Sequence, residues 1–183
     1  PDRHSKAPPI VDNLTQTLIL IPLVAIPVLF AITVHEAAHG WVADRLGDPT
    51  ARKLGRITFN PLPHIDPIGT VVLPMFLAFT TGFVFGWARP VPVDARQFDK
   101  PMLDMGLVAV AGPASNFLMA CGWALLVLIS LKIPDADTRQ LLNAMAQNGM
   151  LINVLLMTLN LLPIPPLDGG RVVTAVLPPA LAS

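Results

Sequence analysis

Four long stretches of the chain, residues 13–34, 68–88, 105–131 and 141–167, contain no charged side chain. Each has the roughly 20 residues that a helix needs to cross a bilayer. The first is expected to continue as a helix to about Leu46, where Gly47-Asp48-Pro49 stops it. Pro22 and Pro27 should bend it. In the third stretch, Gly112-Pro113-Ala114-Ser115-Asn116 offers small residues for close helix approach, with a kink expected at Pro113. The fourth breaks after Asn160, because Pro163, Pro165 and Pro166 exclude a regular helix before Asp168-Gly169-Gly170. Irregular backbone at membrane depth is tolerated only where it is buried in protein or lines a wet cavity.

The loops sort by charge. Arg45, Arg52, Lys53 and Arg56 follow the first stretch, and Arg89, Arg96 and Lys100 follow the second. Lys132 and Arg139, between the third and fourth, are offset by Asp135 and Asp137. Positive loops stay in the cytoplasm, so the first two loops belong inside and the Lys132–Arg139 loop outside. The N-terminal tail, with Arg3 and Lys6, would be outside as well. Residues 68–88 then enter and leave on one side, as a re-entrant hairpin turning at Leu73-Pro74 or at Thr80-Thr81-Gly82. By length alone, a straight fourth span competes with the hairpin. Arg89-Pro90-Val91-Pro92-Val93 reads as an extended strand whose prolines strip the donors from one edge. Its other edge could pair with residues 56–59 or with an unwound substrate. The expected fold is thus an all-α polytopic membrane protein of three full transmembrane helices, a re-entrant hairpin and a small β element near the active site.

Composition agrees. Of 183 residues, 53% are hydrophobic and 13% are charged, against about 25% charged in soluble domains. The formal charge is zero, so nothing points to nucleic acid. The single cysteine, Cys121, has no disulfide partner and reads as a small buried hydrophobe. The length suits one membrane-embedded domain, residues 1–183. A chain that starts at Pro1 and stops at Leu181-Ala182-Ser183 is expected to be truncated at one or both ends.

The only glutamate, Glu36, lies in His35-Glu36-Ala37-Ala38-His39, directly after the first apolar stretch. Ionisable groups in or near a bilayer are costly, so their clustering there implies function. On a helix, residues i and i+4 share a face. His35 and His39 can therefore hold one metal ion, and Glu36, turned about 100° away, can act on a water beside it. This is the pattern for zinc-dependent hydrolysis, which needs three protein ligands and one open position. Candidates for the third ligand are Asp168, His64 and Asp66. Spacing leaves them open, since Asp168 would also suit the N-cap of a helix starting near Gly169.

Three motifs together resemble those of the site-2 proteases, a family of intramembrane zinc metalloproteases. They are His-Glu-x-x-His after an apolar helix, Gly-Pro-x-x-Asn in a later span, and Asn-x-x-Pro-x-x-Pro-Leu-Asp-Gly-Gly, covering roughly residues 31–176. His64-Ile65-Asp66-Pro67-Ile68-Gly69-Thr70 and Gly86-Trp87-Ala88-Arg89-Pro90-Val91-Pro92-Val93 are similar to the compact branch without a PDZ domain. The resemblance implies that His35, His39 and Asp168 are ligands to one Zn2+ per chain and that Glu36 is the catalytic base. It implies a membrane-protein substrate with a transmembrane helix, in a cell membrane, cut nearer the cytoplasmic face. Asn116 and Asn160 are candidate oxyanion donors, and His64 is a candidate contact to the site or substrate. A membrane metal-binding or transport protein without proteolysis is the competing class.

Overall fold

The computed structural model describes residues 9–82 and 86–177. The tail with Arg3 and Lys6, residues 83–85 of the second apolar stretch, and the terminal Leu181-Ala182-Ser183 lie outside them. The described elements are α1 (Pro9–Arg45), α2 (Thr50–Lys53), α3 (Leu73–Thr81), α4 (Pro101–Ser130), α5 (Ala136–Asn160) and α6 (Asp168–Val176). Among the described residues, three helices are long and apolar enough to cross a membrane: Leu20–Arg45 within α1, α4 and α5, with mean hydropathies of 2.0, 1.6 and 1.2. Large apolar side chains such as Phe30, Leu118, Leu128 and Leu155 face outward, as lipid-facing surfaces require. α4 packs against α1, α5 and α6, and α1 also meets α5.

α1 is covered by neighbours along its second half. Ala31, Thr33, His35, Ala37, His39 and Ala43 are all buried, so neighbours cover more than one face. Its two prolines do not stop it. Pro27 has no N–H for the carbonyl four residues back, that of Leu23. The Asn148 amide of α5 lies 3.5 Å from that oxygen as a donor, so a neighbouring helix replaces the missing partner. The helix ends where expected: Gly47 takes φ 109, a conformation that is unfavourable for any side chain with a Cβ. α5 starts at Asp135, whose carboxylate accepts from the Thr138 N–H at 2.8 Å.

The segment between α1 and α4 begins and finishes at one end of the bundle. Asp48, just past α1, accepts from the Asp94 N–H at 2.7 Å and the Gln97 amide at 3.0 Å, just before α4. The second apolar stretch closes on itself in the same way. The Trp87 N–H donates to the Gly69 carbonyl at 3.0 Å, and the Thr70 hydroxyl to the Trp87 carbonyl at 2.8 Å. These bonds bring the two ends of the stretch together.

Several expectations need correction. Leu73-Pro74 is not a turn: a π-helical turn, Pro67–Val72, runs directly into α3. Proline is accommodated there because the Gly69 carbonyl, five residues before Pro74, accepts from the Trp87 N–H instead. α3 ends instead at Gly82, with φ 71. Cys121 is exposed rather than buried, because it lies on the face of α4 that also carries the exposed Leu118 and Leu125. Among the described residues there is no strand. Of the two donors expected to form the ladder, those of Val91 and Val93, the Val91 N–H goes to Glu36, and the neighbouring Arg89 N–H donates to the His64 carbonyl at 2.9 Å. Arg56, on the segment expected as the partner strand, reaches the Arg89 and Pro90 carbonyls with its guanidinium at 2.7 and 3.3 Å.

Candidate metal centre

α1 presents His35 and His39 on one face, one turn apart, with ring centroids 4.7 Å apart and planes nearly perpendicular. Asp168 opens α6 opposite them. The turn before α6 can fold this closely because Gly169 has no Cβ: one placed there would lie 2.3 Å from the Leu161 carbonyl oxygen. The Asp168 side chain does not cap α6, so the capping alternative fails. Its Oδ2 lies 3.3 Å from both imidazole Nε2 atoms, and those two nitrogens are 3.0 Å apart.

The surroundings suit a cation. The His39 Nδ1 donates to the Val108 carbonyl at 2.7 Å. A carbonyl only accepts, so the Nδ1 of His39 carries the proton and its Nε2 presents a lone pair. The His35 Nδ1 meets the Asn116 Oδ1. The buried Asp168 Oδ2 has no hydrogen-bond partner. Acceptor atoms facing one another without a donor repel, and a metal ion resolves that conflict. The fit extends to the backbone of α4. A Cβ on Gly112 would lie 2.4 Å from the His39 Nε2 and 2.6 Å from the His35 Nε2. The three side chains are buried, offer one ligand atom each within 4.8 Å of one another, and could hold a metal ion. Two histidines and a carboxylate form a borderline donor set suited to zinc.

Glu36 is half-buried on the neighbouring face of α1. Its Oε2 accepts from the Val91 N–H at 2.8 Å. The other candidates are engaged elsewhere. Asp66 caps the π-helical turn, accepting from Ile68 and Gly69 at 3.0 and 2.7 Å. His64 is buried and donates from Nε2 to the Thr58 carbonyl at 3.2 Å. Burial is the main cause holding its pKa below the usual imidazole value, and nearby Arg56 adds to it against the Thr58 bond. The Asn116 amide donates to Asn153 at 2.9 Å, so it braces a histidine rather than pointing to an oxyanion. Asn160 donates back to the Leu156 carbonyl at 3.0 Å within its own helix.

Asn153, Asp48 and Arg56 escaped the sequence reading as parts of the site's frame, and for the Val91 N–H the edge was read but not its partner, Glu36. For Asn153 a signal existed: an amide in an uncharged membrane-length stretch needs a partner. For the other three the partners lie 33 to 55 residues away, beyond any local pattern.

Comparison with known proteins agrees with this geometry. Residues 127–181 match Peptidase family M50. Over 172 residues the chain is 41% identical to "Putative zinc metalloprotease YwhC" of Bacillus subtilis (strain 168), covering 90% of this chain and 73% of that protein. It is 31% identical over 145 residues to "Putative zinc metalloprotease Rip2" of Mycolicibacterium smegmatis, and 28% over 141 residues to Rip2 of Mycobacterium tuberculosis. The chain spans about half the length of these Rip2 proteins, 52% in each case. No solved structure matches it. Among the described residues there is no PDZ domain. The chain therefore belongs to peptidase family M50, the site-2 protease family of membrane zinc metalloproteases, with zinc as its cofactor.

Proposed function

We propose that this chain is a single membrane-embedded domain that hydrolyses peptide bonds in or near transmembrane segments of other proteins. The observation that carries this reading is the meeting of the His35 Nε2, His39 Nε2 and Asp168 Oδ2 within 4.8 Å, beside Glu36, at one end of three membrane-length helices. These three side chains are the zinc ligands in this reading. Zinc held there supplies a Lewis acid that polarises a carbonyl and acidifies water. Glu36 takes the proton of the attacking water and passes it to the leaving amine. The Val91 N–H holds one carboxylate oxygen of Glu36 and leaves the other free to accept the proton.

A helical substrate hides its carbonyls in hydrogen bonds to the N–H groups four residues on, so it must unwind locally. Residues 88–94, which pass Glu36 without regular structure, form the wall against which the unwound segment lies. The positive-inside rule puts this end of the bundle at the cytoplasmic face of a cell membrane, and α3 then dips into the bilayer as the outward limb of a re-entrant hairpin.

The mechanism is tested with Glu36→Gln, which keeps the size of the side chain and cannot accept a proton. Zinc content should stay at about one per chain while cleavage of a membrane substrate falls by about 10² or more. Zinc-loaded parent protein that cleaves no peptide bond would favour metal binding or transport instead. Topology is tested separately, in a Cys121→Ala background because Cys121 is itself exposed. Cysteines replacing the exposed Lys53 and Arg96 should react with a membrane-impermeant reagent from the cytoplasm, and one replacing Asp137 from outside. Phe79, 96% exposed in the isolated chain, should be shielded when replaced by cysteine. Labelling of Lys53 and Arg96 positions from opposite sides would refute the hairpin.

A further inference from the structure

We propose that Asn153 is a positioning residue that sets the tautomer of His35 through Asn116, and thereby makes the His35 Nε2 a metal ligand. The inference rests on the zinc-protease reading above and adds to it a residue on α5 that touches neither metal nor substrate.

The argument begins at a backbone carbonyl. The Asn153 Nδ2 lies 2.8 Å from the Gly149 carbonyl oxygen. A carbonyl can only accept, so the amide of Asn153 must present its NH2 group there and its oxygen to the other side. On that other side, the Asn153 Oδ1 is 2.9 Å from the Asn116 Nδ2. Asn116 must therefore donate to Asn153, and its own Oδ1 must face His35. An oxygen facing the His35 Nδ1 requires the proton on that nitrogen, which leaves the lone pair on Nε2. The direction of every bond follows from the Gly149 carbonyl and from no choice of amide orientation. Both asparagines are fully buried, so water cannot substitute for either partner. α5 can stand this close to α4 because residue 149 is glycine: a Cβ there would lie 2.3 Å from the Trp123 ring.

His39 reaches the same state by a shorter route, through the Val108 carbonyl. The two ligands are thus prepared independently, one by the backbone of α4 and one by a two-amide relay that starts on α5. Without Asn153, nothing else described fixes which end of the Asn116 amide faces His35. With its NH2 turned inward, His35 would carry its proton on Nε2 and could not ligate.

The test separates bond direction from packing. In detergent-solubilised full chain, zinc affinity is measured by chelator competition for the parent, Asn153→Leu and Asn153→Asp. Leucine removes the acceptor that Asn116 needs. Aspartate keeps that acceptor, whereas both variants lose the bond to the Gly149 carbonyl and should melt at lower temperature. Zinc affinity should fall about 10- to 100-fold in Asn153→Leu, the range for groups that orient metal ligands. It should stay within about threefold of the parent in Asn153→Asp. Equal losses in the two variants, or parent-like affinity in Asn153→Leu, would overturn the proposal. If Asn153→Leu does not fold, nitrogen-15 spectra of zinc-free parent still decide, since His35 must carry its proton on Nδ1. A parent that binds no zinc would instead defeat the zinc-protease reading itself.

Discussion

The two sides of the site are built by different means. On the helical side, α1, α4, α5 and α6 bring together three atoms, from His35, His39 and Asp168, that could hold a metal ion, through close backbone approach. Gly112 and Gly169 remove the Cβ atoms that would intrude, and buried polar groups hold both imidazoles. On the loop side, the described residues of 56–97 place no side chain in the His35, His39 and Asp168 cluster. They are held to the helical side by Glu36, which accepts from the Val91 N–H, and by Asp48, which accepts from the Asp94 N–H, and to one another by Arg56, which donates to the Arg89 carbonyl. On the helical side the backbone lies so close to the imidazoles that Gly112 leaves no room for a Cβ. The loop side can open by breaking a few hydrogen bonds, each worth about 0.5–1.5 kcal/mol net and more where a charge is involved. In the proposed function, admission of an unwound substrate needs one rigid wall and one releasable wall.

The largest expected effect breaks the rigid side. Gly112→Ala puts a methyl group where two Nε2 atoms lie within 2.6 Å of it. Overpacking of this kind costs about 1–3 kcal/mol, so zinc should bind about 10- to 100-fold more weakly, with cleavage falling at least in proportion. Gly122→Ala, on the same helix with open space around it, is the control. Metal analysis after dialysis against a weak chelator distinguishes them, and equal zinc retention in the two variants would show that α4 yields at Gly112.

A smaller effect is expected when the loop side is loosened. Asp48 is fully buried and serves three donors: the Thr50 and Asp94 N–H groups and the Gln97 amide. Asp48→Ala leaves them without their acceptor, at a cost of about 1–3 kcal/mol. The melting temperature should drop and hydrogen exchange around residues 94–97 should quicken, while zinc affinity stays within about twofold of the parent. Loss of zinc in Asp48→Ala would mean that the two sides are not separable.

The same division marks what the sequence made legible. The span lengths, the stop at Gly47 and the facing of His35 and His39 follow from local periodicity and breakers, and all appear in the helices. Asp168 was visible only as one of three candidates until motif resemblance singled it out, because α6 reaches α1 through tertiary packing. The loop side was largely hidden. The alternation of Pro90 and Pro92 with Val91 and Val93 does mark a one-sided backbone edge. Sequence alone could not show that Glu36, 55 residues earlier, takes the Val91 donor. Nor could it show that Arg56 binds the facing carbonyls with its side chain instead of pairing as a strand.

The smallest expected effect sharpens the comparison through pH. His64 is a buried residue of the loop side, and its carbonyl receives the Arg89 N–H. Burial, chiefly, sets its folded pKa below the ordinary 6.5. Between those two values the unfolded imidazole binds more protons than the folded one, so stability must fall as pH drops through that window and level off above it. In zinc-loaded protein, the melting temperature of the parent should therefore decline more steeply between pH 7 and about 5.5 than that of His64→Gln, which cannot titrate. Protonation of the zinc ligands acts on both proteins and cancels in the difference. If the two melting curves stay parallel across that range, His64 is not held neutral by the fold, and the loop side has no proton-sensitive support beneath residues 88–91.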